Sequence, residues 1–177
     1  MRVRSQRGFT LVELMVVVTI IAILSAFTFA VATRPYTANA GVISEQLVST
    51  FSYARMRAVS TRKVHRVTLY TSGSEQLAEI SAASTTGMSY SSATVFQPIE
   101  VKRIPNGALI WSAAAGAVTT TGANPTQDVG LPYDMYFKPD GSATASTIYV
   151  RDRDGAKHYY RVLVYHATGS SYARETW

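Results

Sequence analysis

The sequence predicts an α+β fold: a long amino-terminal α-helix, membrane-spanning in its first half, packed against a carboxy-terminal antiparallel β-sheet or sandwich domain. Three observations carry this prediction. An uncharged apolar run occupies 14–32, and a helical stripe of apolar residues follows between Ile43 and Ala58. After Arg62-Lys63 the hydrophobic period drops to two, in short segments separated by turns that contain Gly, Ser and Pro. Many short strands behind one long helix form two small sheets packed on that helix. With 177 residues the chain is long enough for an anchor and one domain with its own core.

The apolar run is interrupted only by Thr19, Ser25 and Thr28. At about 1.5 Å per residue it just crosses a bilayer core of roughly 30 Å. Arg2, Arg4 and Arg7 precede it and only Arg34 follows closely. That asymmetry orients the amino terminus to the cytoplasm and the bulk of the chain outside the inner membrane. A secretory signal has a shorter apolar core followed by a small-residue cleavage site. Here the basic leader ends at Gly8, ahead of the run, so cleavage there leaves the run attached as a permanent anchor. The chain therefore divides into a cleaved leader (1–8), a membrane-spanning helix (9–33) and a globular domain outside the inner membrane (34–177).

Glu13 is the one charge at the head of the run. A charged side chain costs roughly 3 kcal/mol at the centre of a membrane helix and less near its edge. Two readings stand side by side: solvation at headgroup level, or pairing with a positive charge once subunits pack together. Cleavage between Gly8 and Phe9 supplies such a charge, because it frees an α-amino group on Phe9, four residues from the carboxylate. In a low dielectric the two charges offset each other.

Beyond the anchor, Pro35 marks a kink or local break, since proline removes a helical hydrogen bond and clashes with the preceding turn. An amphipathic helix is predicted over 36–62. Ile43, Leu47, Phe51, Ala54 and Ala58 form one stripe, the face on which a β-domain packs. Glu45, Ser49, Ser52, Arg55 and Arg57 mostly occupy the rest of the circumference. A helix running from 9 to about 60 would be about 78 Å long.

Strands are predicted at 64–70, 76–82, 94–103, 108–111, 134–138, 144–152 and 158–166. Ser72-Gly73-Ser74, Pro139-Asp140-Gly141 and Asp154-Gly155 read as tight turns. The stretches 81–93 and 112–127, rich in Ala, Ser, Thr and Gly, read as exposed loops and as contact surfaces for neighbouring subunits.

The chain carries 17 Lys+Arg against 11 Asp+Glu, and loss of the leader removes three of the arginines, leaving a mild positive balance. There is no cysteine, so disulfides and thiolate metal sites are excluded and stability comes from packing. His65, His158 and His166 lie in strand patterns with no carboxylate or thiol at ligand spacing, and read as ordinary strand residues. Asp152 and Asp154 flank a turn with Arg151 and Arg153, too few oxygens for a calcium loop. No phosphate loop or nucleophile elbow is present. The expectation is a protein without catalytic residues, metal or cofactor.

Gly8-Phe9-Thr10-Leu11-Val12-Glu13 with the following apolar helix resembles the class III signal of type IV prepilins and type II secretion pseudopilins. The resemblance implies cleavage between Gly8 and Phe9 by a prepilin peptidase, N-methylation of Phe9, and a role for Glu13 in docking the subunit onto its predecessor. One tip subunit of the secretion systems lacks this glutamate, and its presence here argues against that role. Pro35 with its neighbouring aromatic, the segment Tyr53-Ala54-Arg55-Met56-Arg57-Ala58-Val59, Phe137-Lys138-Pro139-Asp140-Gly141 and Thr168-Gly169 resemble the GspH/FimT/FimU branch of minor pilins and pseudopilins. Major pilins that close a loop with a disulfide are disfavoured.

What the resemblance implies is a minor type IV pilin in a pilus-priming or tip complex. Its partners would be other minor pilins, the major pilin and an inner-membrane assembly platform, and its final location the pilus at or near the tip. The alternatives are a minor pseudopilin of a type II secretion system and a DNA-uptake pilin. For DNA, the place matching the relatives' basic motif is Gly169 to Arg174, with a single arginine, Arg174, beside Tyr172 and next to Glu175. One cation is a poor grip on phosphates. Tyr172 and Trp177 offer stacking surfaces for bases. Arg62-Lys63…Arg66 and Arg151, Arg153, Lys157 and Arg161 form further basic clusters that read as solvated faces.

Overall fold

Two amino-terminal helices are described, on either side of the kink or break that the sequence predicts at Pro35. The computed structural model describes residues 10–32, 39–105, 107–116, 130–153 and 158–176, with the side chains of 27–32 excepted. Two compact units appear, Met1–Tyr36 and Thr37–Trp177. The first contains α1 (Leu11–Ala32) and the second begins with α2 (Ala40–Thr61). Asn39 is extended, with φ −76° and ψ 169°, and its side-chain oxygen accepts the Val42 N–H at 3.0 Å. That is an N-cap, so α2 starts afresh there, later than the predicted 36. The predicted kink at Pro35 lies outside the described residues.

α2 buries the stripe read from the sequence: Ile43, Leu47, Phe51, Ala54 and Ala58 are all within 2% of full burial. At its far end Arg62 adopts the left-handed conformation, φ 55°, and its carbonyl accepts the Gly87 N–H at 3.1 Å. A distant loop thus takes up a backbone group that the end of a helix leaves unpaired.

Among the described residues eight strands follow: β1 (His65–Ser72), β2 (Glu75–Ala83), β3 (Phe96–Ile104), β4 (Ala108–Ala115), β5 (Tyr133–Phe137), β6 (Ser146–Asp152), β7 (Tyr159–Val164) and β8 (Ser171–Glu175). They form two antiparallel four-stranded sheets, in the orders β3-β2-β1-β5 and β4-β6-β7-β8. Two sheets packed on a helix is the arrangement the sequence predicted. Three details differ. β2 extends to Ala83 and β4 to Ala115, with Ser81, Ala83, Ser112 and Ala113 buried, so the two small-residue stretches begin as core strands and not as loops. Small side chains there fit a bulged strand pressed against its neighbours. β8 was not expected, because Ser-Tyr-Ala-Arg-Glu carries little apolar alternation. The 154–155 turn lies outside the described residues.

Side chains stitch the two sheets together. The Gln76 amide acts as a short piece of strand: its nitrogen donates to the Ile110 carbonyl at 2.9 Å and its oxygen accepts the Ile110 N–H at 2.7 Å. The Tyr133 hydroxyl, from β5, lies 3.3 Å from the Ala114 carbonyl of β4 and 3.0 Å from the Ser146 hydroxyl. Phe137 bridges to Ala143, and Phe51 of α2 stacks on Phe137 at 6.2 Å.

Candidate assembly segment and basic surface

Gly8 and Phe9 lie outside the described residues. Glu13 sits in the first turn of α1. The Thr10 carbonyl accepts the Leu14 N–H at 3.2 Å, and the Thr10 hydroxyl accepts the Glu13 N–H at 3.3 Å. Thr10 is therefore the N-cap and Glu13 the third helical residue, the spacing of a capping box. An acid here is also favoured by the positive end of the helix dipole. This local reason for Glu13 adds to the two read from the sequence.

Every described side chain of α1 is exposed, on all sides: Leu11 76%, Met15 62%, Ile20 51%, Leu24 61%. Thr19 turns its hydroxyl onto the Met15 carbonyl at 2.7 Å, so this polar group is satisfied inside the helix. An apolar surface around a whole helix needs cover from other helices or lipid. Among the described residues no helix is long and apolar enough to cross a membrane.

The histidines are built into the fold. His65 is fully buried, with Nδ1 3.1 Å from the Lys63 carbonyl, and burial pushes its pKa below the usual value. His166 Nδ1 donates to the Ala143 carbonyl at 2.6 Å, joining the β7–β8 turn to the chain after β5. His158 departs from the sequence reading. Its Nδ1 meets Asp152 at 2.9 Å, a carboxylate six residues away brought close by the β6–β7 hairpin. The other Asp152 oxygen accepts the Ala40 N–H at 2.7 Å, so this acid caps α2 from 112 residues away. Among the described residues no group of His, Cys, Asp and Glu could hold a metal ion.

The basic clusters are not simply solvated faces. Arg161 is 1% exposed. Arg151 lies over the Trp111 ring, 3.2 Å from its centroid. Arg66 lies over Phe96 at 4.6 Å and faces Asp134 at 3.9 Å. Lys157 lies outside the described residues. Of the suggested DNA contacts, Arg174 is exposed on β8, directly across from the buried Arg161, and Tyr172 is 55% exposed with its ring edge-on to Tyr165 at 5.9 Å. Among the described residues, β8 itself carries no cation besides Arg174. Trp177 lies outside the described residues.

Sequence reasoning missed a cleft of about 650 Å³ at the end of α2, between the β2–β3 loop and the Pro139-Asp140 turn. The only hint was an apolar Met88 in a stretch otherwise rich in Ser, Thr and Gly.

Comparisons with known proteins agree with both ends of this description. The family described as prokaryotic N-terminal methylation motif matches residues 3–29. No curated protein matches the chain. The fold is similar to that of the minor pseudopilin EpsH from the Type 2 Secretion System of Vibrio cholerae, with a TM-score of 0.52 and 8% identity, over 78% of this chain and 98% of that one. At that identity the likeness speaks for the fold alone. The chain thus carries a prokaryotic N-terminal methylation motif over residues 3–29, and its fold is similar to that of a minor pseudopilin.

Proposed function

We propose that this chain is a minor type IV pilin, a structural subunit of a pilus-priming or tip complex. It is cleaved between Gly8 and Phe9 by a prepilin peptidase and methylated at the new Phe9 amine. Residues 9–33 anchor it in the inner membrane, and the globular unit stands in the periplasm until assembly. The observation that carries the reading is a helix apolar on every described side, headed by Glu13 within the methylation motif. Binding is the mechanism. Such helices bundle in a filament core, Glu13 offsets the Phe9 amine of a neighbour, and the β-domain selects which neighbours are accepted. The family consists of structural subunits, in keeping with a chain that acts by assembly and not by catalysis.

The likeness to EpsH favours a second reading, the same subunit serving as a minor pseudopilin of type II secretion. Deleting the gene and measuring major pilin sheared from the cell surface separates the two. Loss of sheared pilin, restored by complementation, supports the pilus assignment. Normal pilin with a defect in protein secretion assigns the chain to the secretion machine.

A further inference from the structure

The cleft at the end of α2 is preformed and held from three sides. Val59 and Arg62 belong to the helix end, Gly87 and Met88 to the β2–β3 loop, and Pro139 and Asp140 to the turn between β5 and β6. The loop is tethered twice: Gly87 donates to the Arg62 carbonyl at 3.1 Å, and Tyr90 stacks on Tyr136 with centroids 4.0 Å apart. The turn is closed by the Gly141 N–H on the Lys138 carbonyl at 3.0 Å, and by Ser142 donating its hydroxyl and its N–H to Asp140 at 2.6 and 2.9 Å. Those two donors hold the Asp140 carboxyl below the usual carboxylate range, so it is ionised at neutral pH.

The lining combines apolar surface with a basic rim. Val59 is 48% and Met88 54% exposed, and Met56, one turn earlier on α2, is 62% exposed and extends the apolar strip. Methionine side chains adapt their shape to a partner. Arg62 is exposed on the rim, Lys63 adjoins it, and Lys138 adjoins Pro139 on the far wall, against the one carboxylate of Asp140. An anionic ligand with an apolar part fits this balance. A nucleic-acid strand fits it poorly, because its affinity comes from many phosphate contacts and here the floor is apolar and one rim group is an anion. A second copy is a poorer source of the ligand than a different subunit, since the chain is itself net positive and three of its carboxylates, Glu75, Glu100 and Asp134, already face Arg103, Lys102 and Arg66 within 4 Å.

We infer that this cleft docks a segment of a neighbouring, non-identical pilin subunit, whose apolar side chain rests on Val59 and Met88 while an adjacent carboxylate meets Arg62. The inference rests on the subunit reading above and names the surface by which the domain selects a neighbour.

The test places a photoactivatable amino acid at Thr86, on the cleft rim, in the full-length chain expressed in its own cells. The expected result is a crosslink to another pilin-family subunit, with the joined peptide carrying Asp or Glu beside an apolar residue. Arg62→Glu, which sets like charges against each other, lowers the yield about tenfold, while Arg62→Lys keeps most of it. Equal amounts of mature Arg62→Glu and parent protein in the membrane show that the loss is not a folding defect. A crosslink to a second copy, to DNA or to lipid overturns the inference, as does an Arg62→Glu yield equal to the parent's. Glu13→Ala, scored in parallel for entry into filaments, separates the two levels. Loss of filament entry together with no pilin crosslink at Thr86 defeats the cleft alone, whereas normal filament entry defeats the subunit reading and the inference with it.

Discussion

Gly169 leaves no room for a side chain. Its φ is +59°, and a Cβ there would clash with the Gly141 carbonyl oxygen, with Arg55 also in contact. Gly141, at φ +85°, passes its carbonyl to the Arg55 Nε at 3.3 Å. Gly169→Ala is therefore expected to cost about 1–3 kcal/mol from backbone strain, with the clash in addition. A lowered urea midpoint of the unit Thr37–Trp177 would show it; an unchanged midpoint would mean the turn can move away. His65 governs a second property of the same unit. Its pKa is lowered in the fold by burial, so the unfolded chain binds the proton first as pH falls. Stability from neutral His65 is complete above the unfolded value of about 6.5 and is lost as pH falls from there to the lower value in the fold, with a slope of at most about 1.4 kcal/mol per pH unit. Unfolding curves at pH 7.5 and 5.5 should differ more for the parent than for His65→Gln.

At the scale of elements, α2 depends on residues far along the chain. The Ala40 N–H is at a fully buried residue and has Asp152 as its acceptor. Asp152→Ala leaves that donor without its partner and should destabilise the unit by about 1–3 kcal/mol. Asp152→Asn, which still accepts a hydrogen bond, should cost less, and thermal unfolding of the two variants would rank them. The apolar stripe of α2 was legible in the sequence because helical periodicity is local information. The start of the helix was not, because Asn39 and Asp152 act together only after β6 has folded against it. Likewise the segment around Arg55, the turn at Gly141 and Thr168-Gly169 looked like three separate resemblances. In the fold, Arg55, Gly141 and Gly169 touch, so these motifs lock the helix to both sheets.

At the scale of the whole molecule, the apolar helix and the domain make different demands. Gly8→Ala should block processing, and an immunoblot of membranes should then show only the full-length precursor; mature protein in that variant would refute the cleavage site. Glu13→Ala should leave cleavage and folding of the domain intact while reducing recovery in sheared filaments about tenfold or more. Thr10 and Glu13 also share a cap at the start of α1. Glu13→Gln, which keeps the capping geometry but removes the charge, separates the two roles. Weak incorporation of Glu13→Gln assigns the effect to charge pairing between subunits, and parent-like incorporation assigns it to the cap.

The sequence alone was enough for the N-terminal methylation motif, the apolar helix, the buried stripe of α2 and the α+β class, since each rests on spacing along a few turns or strands. Tertiary structure decided what short-range pattern cannot carry. It buried Arg161 and set Arg66 and Arg151 on aromatic rings, which removed most of an apparent basic face. It put Asp152 at the head of α2, made the Gln76 amide a link between the sheets, and opened the cleft beside Met88. The physical reason is the same in each case: side-chain charge, hydrogen-bonding capacity and apolar surface are properties of a residue, but which of them is spent inside the fold and which is left for a partner depends on residues a hundred positions away.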